Sequence, residues 1–103
     1  DSLSNARAFV ADGGRLLYGT DIPAVPATLD LVELGLLRQA GLSTTETLAA
    51  ATSEGGRALG RPRYGTLRAG APADVWVVRG DPTRSMRALA RPVFVMARGT
   101  RIR

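Results

Sequence analysis

The chain has 103 residues, enough for one small domain. At 45% hydrophobic and 22% charged, it has the composition of a folded protein rather than a disordered one. The net charge is +5 and all fourteen basic residues are arginine; lysine, histidine and cysteine are absent, which excludes disulfides and thiolate metal sites.

The first residue is Asp1, not Met, so a processed chain or a piece of a longer one is expected. No run approaches the roughly 20 apolar residues that span a bilayer. No basic segment followed by an apolar core marks a signal peptide either. No membrane partner is expected, and the cytoplasm is the compartment assumed by default.

Residues 4–12 predict a helix, with Ser4 as N-cap and Ala6, Phe9 and Val10 at helical spacing. Gly13-Gly14 stops it. Leu16-Leu17-Tyr18 is then a short apolar run, followed at once by Gly19-Thr20-Asp21. An apolar run bounded by turn residues suits a strand covered on both faces. In α/β folds chemistry is placed at the C-terminal ends of such strands. Asp21 is therefore the candidate catalytic residue, against the bland alternative that it only ends a strand. Thr20 is expected to satisfy its hydroxyl at the strand end, and Tyr18 to pack in the core.

Ile22-Pro23-Ala24-Val25-Pro26 is not helical, because proline restricts the residue before it as well as itself. It predicts a loop over the strand end. Thr28 or Asp30 opens a helix that runs to about Ala40. Its expected apolar stripe is Leu29, Val32, Leu36 and Ala40, widened by Leu34 and Leu37. Asp30 and Glu33 are assigned to its solvated surface. Gly41 ends it where a left-handed residue is wanted.

Ser43 and Glu46 are spaced as a capping box for the next helix. Gly55-Gly56 weakens the centre of that helix by about 1 kcal/mol per glycine and predicts a kink or break near Glu54. From Arg61 the periodicity shifts from 3.6 to 2. Strands are expected over residues 74–78 and 92–97, and a short one at Arg101-Ile102-Arg103. Gly80-Asp81-Pro82 is a turn, and residues 85–90 form a helical turn. Trp76 is assigned to a β core. Asp74 and Asp81 fit turn positions better than ligand positions.

The arginines run from Arg7 to Arg103, mostly one at a time, and are densest at Arg61 with Arg63 and at Arg101 with Arg103. Arginine neutralises phosphate and drives counterion release, which invites a nucleic-acid reading. Their scatter and the lack of an aromatic–arginine platform argue against it. An arginine-for-lysine bias accounts for them, and no nucleic-acid partner is expected. The run of elements is helix, strand, helix, helix, then a small β segment. Residues 16–18 have no parallel neighbour in this sequence, so their partners are expected from sequence outside it.

Three phrases in this order resemble one family. The first is Gly19-Thr20-Asp21 after an apolar strand. The second is Ala40-Gly41-Leu42-Ser43 with Glu46, Leu48, Ala50-Ala51-Thr52 and Ala58-Leu59-Gly60. The third is Gly65-Thr66-Leu67-Arg68-Ala69-Gly70-Ala71-Pro72-Ala73-Asp74-Val75, with Gly80-Asp81-Pro82 behind it. Together they resemble the C-terminal end of a metal-dependent amidohydrolase, of the kind that includes imidazolonepropionase and prolidase-like enzymes.

The resemblance implies an α/β fold, the C-terminal fragment of a (β/α)8 TIM-type barrel (its last strand and helices) plus part of a small β-sandwich. Residues 1–60 would close the barrel and residues 61–103 would belong to the sandwich. It implies that Asp21, at the end of the eighth strand, is both metal ligand and acceptor of the proton from the attacking water. It implies a divalent metal, zinc foremost, and hydrolysis of a carbon–nitrogen bond in a small amide: non-peptide, cyclic or a dipeptide. The family's other ligands are histidines, often with a carboxylated lysine or a further carboxylate, and this sequence has neither histidine nor lysine. One aspartate does not hold a catalytic divalent ion, since zinc sites use three protein ligands plus water. The isolated chain is therefore not expected to be active or to bind metal alone. Its expected partners are the missing N-terminal barrel sequence and a small-molecule amide, with an oligomer left open. The alternative is a structural or interaction module that completes a barrel supplied by another chain.

Overall fold

A computed structural model of the protein describes residues 1–19 and 31–103. In chain order its elements are helices α1 (Ser2–Ala11), α2 (Leu31–Gln39), α3 (Thr44–Ala50) and α4 (Ser53–Ala58), then strand β1 (Val75–Val78). A 3-10 turn (Met86–Ala90) and strands β2 (Pro92–Ala97) and β3 (Thr100–Arg101) follow.

Helix α1 starts earlier than expected. Its N-cap is Asp1, whose carboxylate accepts the Ser4 N–H at 2.7 Å, so Ser4 is capped rather than capping. Either residue type satisfies an orphan donor, and the earlier one wins because it adds a turn. Helix α3 opens on the predicted capping box. The Glu46 N–H donates to Ser43 Oγ, and the Ser43 N–H donates back to the Glu46 carboxylate at 2.7 Å.

The break between α3 and α4 falls at Ala51 and Thr52, not at the glycines. There the Thr52 hydroxyl donates to the Leu48 carbonyl at 2.7 Å, offering the backbone a local alternative to the helix ladder. Gly55 and Gly56 lie inside α4. Gly56 is buried, and a Cβ there would run into the carbonyl oxygens of Tyr64 and Arg61. Gly65 in turn lies against the Thr52 carbonyl, at φ +70°. Bare backbone is what lets turn 61–65 seat on α4.

The core consists of Leu34 and Leu37 from α2, Ala50 from α3 and Leu89 from the 3-10 turn. Leu16, Tyr18, Leu42, Leu48, Val78 and Met86 pack around it. The buried face of α2 is therefore Leu34, Leu37 and Ala40. The expected stripe is wrong at Val32, which is 72% exposed, and at Leu36, 41% exposed; Leu29 lies outside the described residues. Period alone cannot choose between adjacent apolar stripes, and only one side of α2 is covered by α3 and the 3-10 turn. The buried Thr47 hydroxyl is satisfied by the Ser43 carbonyl at 2.8 Å.

Strands β1, β2 and β3 form an antiparallel sheet in that order. Val75 pairs with Met96, Trp76 with Val95 and Val77 with Phe94; the register then slips, so Val78 faces Pro92. The sheet touches the helical core mainly through Val78, and Trp76 is left 41% exposed, not in the core expected for it. Asp74 behaves as the expected turn residue, accepting the Arg98 N–H at 2.8 Å and so pinning the β2–β3 turn beside the start of β1.

Residues 16–18 do not form the predicted strand. A strand requires a hydrogen-bonded neighbour, and the described strands pair only with one another. The alternation expected of a strand is nonetheless present. Leu16 and Tyr18 face the core while Leu17 is 45% exposed, and the Tyr18 N–H donates to the Ala50 carbonyl at the end of α3.

Candidate functional site

Asp21, the one residue assigned both catalysis and metal binding, lies outside the described residues, as do Thr20 and the loop 22–28. What the structure does describe is the segment that leads to them. It is held at two points. At its start, the Arg15 guanidinium pairs with Glu54 at 3.1 Å, and the other Glu54 oxygen takes Arg57 at 3.0 Å. Near its end, Tyr18 is bonded to α3 and packed on the core. The chain re-enters the description at Leu31, the start of α2.

The Arg15–Glu54 link spans 39 residues, and no local pattern announced it. Thr52 bonds back to Leu48 of α3 and Glu54 ties α4 to the Arg15 end of the segment, so both side chains serve structure.

A cleft of about 380 Å³ is lined by Val10, Arg15, Leu16, Leu42, Glu46 and Glu54, among others. It opens at the Arg15 end of the segment. Both of its carboxylates are engaged, Glu46 in the capping box and Glu54 with two arginines. It is a structural cleft.

Asp81 is the described carboxyl with a clear electrostatic signature. The Thr83 hydroxyl at 2.6 Å, the Thr83 N–H at 2.9 Å and nearby Arg84 hold its carboxyl below the usual aspartate range. All are features of a turn, as the sequence implied. Among the described residues, no group of three or more acidic, histidine or cysteine side chains is placed to hold a metal. The sequence offers no histidine or cysteine to complete one. The donor set of the described residues does not by itself fit a divalent metal. Among the described residues, no helix is long and apolar enough to cross a membrane.

Solved structures share this fold, among them two crystal structures. One is the crystal structure of a Xaa-Pro dipeptidase with methionine bound in its active site, at TM-score 0.84 and 21% identity, covering 96% of this chain. The other is the crystal structure of an amidohydrolase, at TM-score 0.84 and 30% identity, covering 97% of this chain. The chain spans 25% of the length of each. No curated protein is similar enough to match it. The model of the amidohydrolase family matches residues 2–102. That match runs through every described helix, the glycine-rich turn at Gly65 and all three strands, and on it the chain belongs to the amidohydrolase family.

Proposed function

We propose that this chain is the C-terminal part of a hydrolase that cleaves a carbon–nitrogen bond in a small amide, with Asp21 as the general base. The observation that carries the proposal is the family match over residues 2–102, joined to a fold that covers a quarter of two larger proteins. In this reading residues 15–19 are the last strand of a (β/α)8 barrel, and residues 1–60 close that barrel. Residues 61–103 belong to a β-sandwich completed by other sequence.

The chemistry asked of Asp21 is simple. Its carboxylate takes a proton from the attacking water as the oxygen bonds to the carbonyl carbon, then delivers it to the nitrogen as the carbon–nitrogen bond breaks. A carboxylate within hydrogen-bond reach of both atoms contributes roughly 10²–10⁴-fold to such a step. The anchors at Arg15 and Tyr18 support the reading because they fix the segment that presents it. A divalent metal, zinc or another, belongs to the proposal only for the complete protein, with its remaining ligands supplied from outside these residues.

The test is Asp21→Asn in the complete protein, assayed on a panel of small amides and dipeptides. The expected result is a drop in kcat of about 10²–10⁴-fold with the circular-dichroism spectrum unchanged. A variant that keeps its rate overturns the assignment.

A second reading has its own support. Leu17, Val32 and Leu36 leave 45%, 72% and 41% of their surface exposed, so further apolar surface is needed to cover them. That surface belongs either to the same chain or to a separate one. Size-exclusion chromatography of the 103-residue chain separates this need from self-sufficiency. Aggregation supports dependence on further sequence, and a monodisperse folded monomer argues against it.

A further inference from the structure

The arginines are unevenly divided, and a bias for arginine over lysine does not explain it, since such a bias leaves the ratio of basic to acidic residues unchanged. Residues 1–60 hold four arginines against seven acids. Residues 61–103 hold the other ten against two acids, Asp74 and Asp81. Both of those acids are already engaged, Asp74 by the Arg98 amide and Asp81 by Thr83. All ten arginines are exposed, and among the described residues none of them forms an ion pair.

Folding gathers what the sequence scatters. The Arg79 N–H donates to the Arg91 carbonyl at 2.9 Å, closing residues 79–91 into one loop that carries Arg79, Arg84, Arg87 and Arg91. Within it the Arg84 and Ser85 amides both donate to the Asp81 carbonyl at 3.1 Å. Met86 and the buried Ala88 and Leu89 turn the other way, onto the core. The loop is thus stapled by its apolar side and presents its basic side outward. The aromatic–arginine pairs not apparent in the sequence are also present. The Arg61 guanidinium lies 5.5 Å from the Tyr64 ring centroid, and that of Arg101 lies 5.1 Å from Phe94. A guanidinium laid on a ring can still turn N–H groups to a phosphate; Arg101 keeps its terminal ones, its Nε–H being donated to the Arg103 carbonyl at 3.2 Å.

We infer that residues 61–103 form a polyanion-binding surface centred on the loop 79–91, and that its ligand is single-stranded nucleic acid. Planar guanidinium forks match phosphate oxygens two at a time, and a flexible strand can follow arginines spread over a loop and a small sheet. An anionic membrane fits less well, because the arginines sit on turns and strand ends and not along an amphipathic helix. The inference is independent of the hydrolase reading.

The probe is a fluorescein-labelled single-stranded oligouridylate, titrated with the complete protein and followed by anisotropy across a salt series. Each phosphate neutralised on a single strand contributes about −0.7 to the slope of log K against log salt. Four loop arginines therefore predict a slope near −3. Replacing Arg84 and Arg87 together by Gln, both exposed and away from the core, is expected to flatten the slope by about 1.4 while hydrolysis is unchanged. The Arg84→Lys, Arg87→Lys pair is expected to keep most of the slope, which separates charge from fold. No binding at low salt overturns the inference. So does binding whose slope the Gln pair leaves unchanged, or binding to phosphatidylserine vesicles without binding to the oligonucleotide.

Discussion

Single residues show how closely this chain ties local chemistry to position. Asp81 turns its carboxylate onto Thr83 and toward Arg84, which favours the ionised form and lowers its pKa. A carboxyl depressed in the folded state stabilises above its unfolded pKa, and that contribution is lost as pH falls through the folded value. The turn at 81–84 is therefore expected to hold at neutral pH and to loosen only in acid, below the ordinary carboxylate range of about 4. An NMR titration of the Asp81 carboxyl should place its midpoint below that of the same aspartate in a short peptide; a midpoint at or above it contradicts the geometry. Leu34, with no exposed surface, is the other residue whose cost is easily stated. Leu34→Ala is expected to destabilise by about 2–5 kcal/mol, read by urea denaturation, because truncating a fully buried core side chain leaves a cavity.

At the scale of elements, backbone chemistry was legible in the sequence and tertiary cover was not. The Ser43–Glu46 capping box that opens α3, the stop of α2 before Gly41 and the strands β1 and β2 follow from residues adjacent in sequence, and the structure has them. Ser43→Ala is expected to cost about 1 kcal/mol and to speed exchange of the Glu46 amide about fivefold. The face buried by α2, the site of the helix break and the missing strand at 16–18 all depend on what lies across from each residue. Leu36 is as apolar as Leu37, and only the position of α3 and the 3-10 turn decides which is covered. The glycines show the same limit. Gly56 reads in the sequence as a weak point of the helix, yet its use is close approach to the Tyr64 carbonyl, as that of Gly65 is to the Thr52 carbonyl. Gly65→Ala is expected to destabilise by more than about 1 kcal/mol, since both its φ of +70° and the Thr52 oxygen oppose a Cβ. Thermal unfolding of that variant checks it. Asp21 is singled out only by the three motif phrases, because the sequence holds no histidine or lysine that would mark out a metal site with it.

At the scale of the whole molecule, the described residues leave apolar surface uncovered at Leu17, Val32 and Leu36. Leu16 and Tyr18 are buried against the helices while Leu17 faces out, the alternation of a strand that lacks its neighbours. Among the described residues, the amides of Leu16, Leu17 and Gly19 have no acceptor, and Tyr18 alone is tied, to Ala50. If residues 15–19 are the closing strand of a barrel, those amides find carbonyl partners in the complete protein. Hydrogen–deuterium exchange of the complete protein, read on the peptide that spans residues 15–19, tests this directly. The expected result is protection on the order of 10³-fold or more at Leu16, Leu17 and Gly19, comparable to a core strand. Exchange there at the rate of an unstructured peptide would contradict the barrel, and with it the place assigned to Asp21.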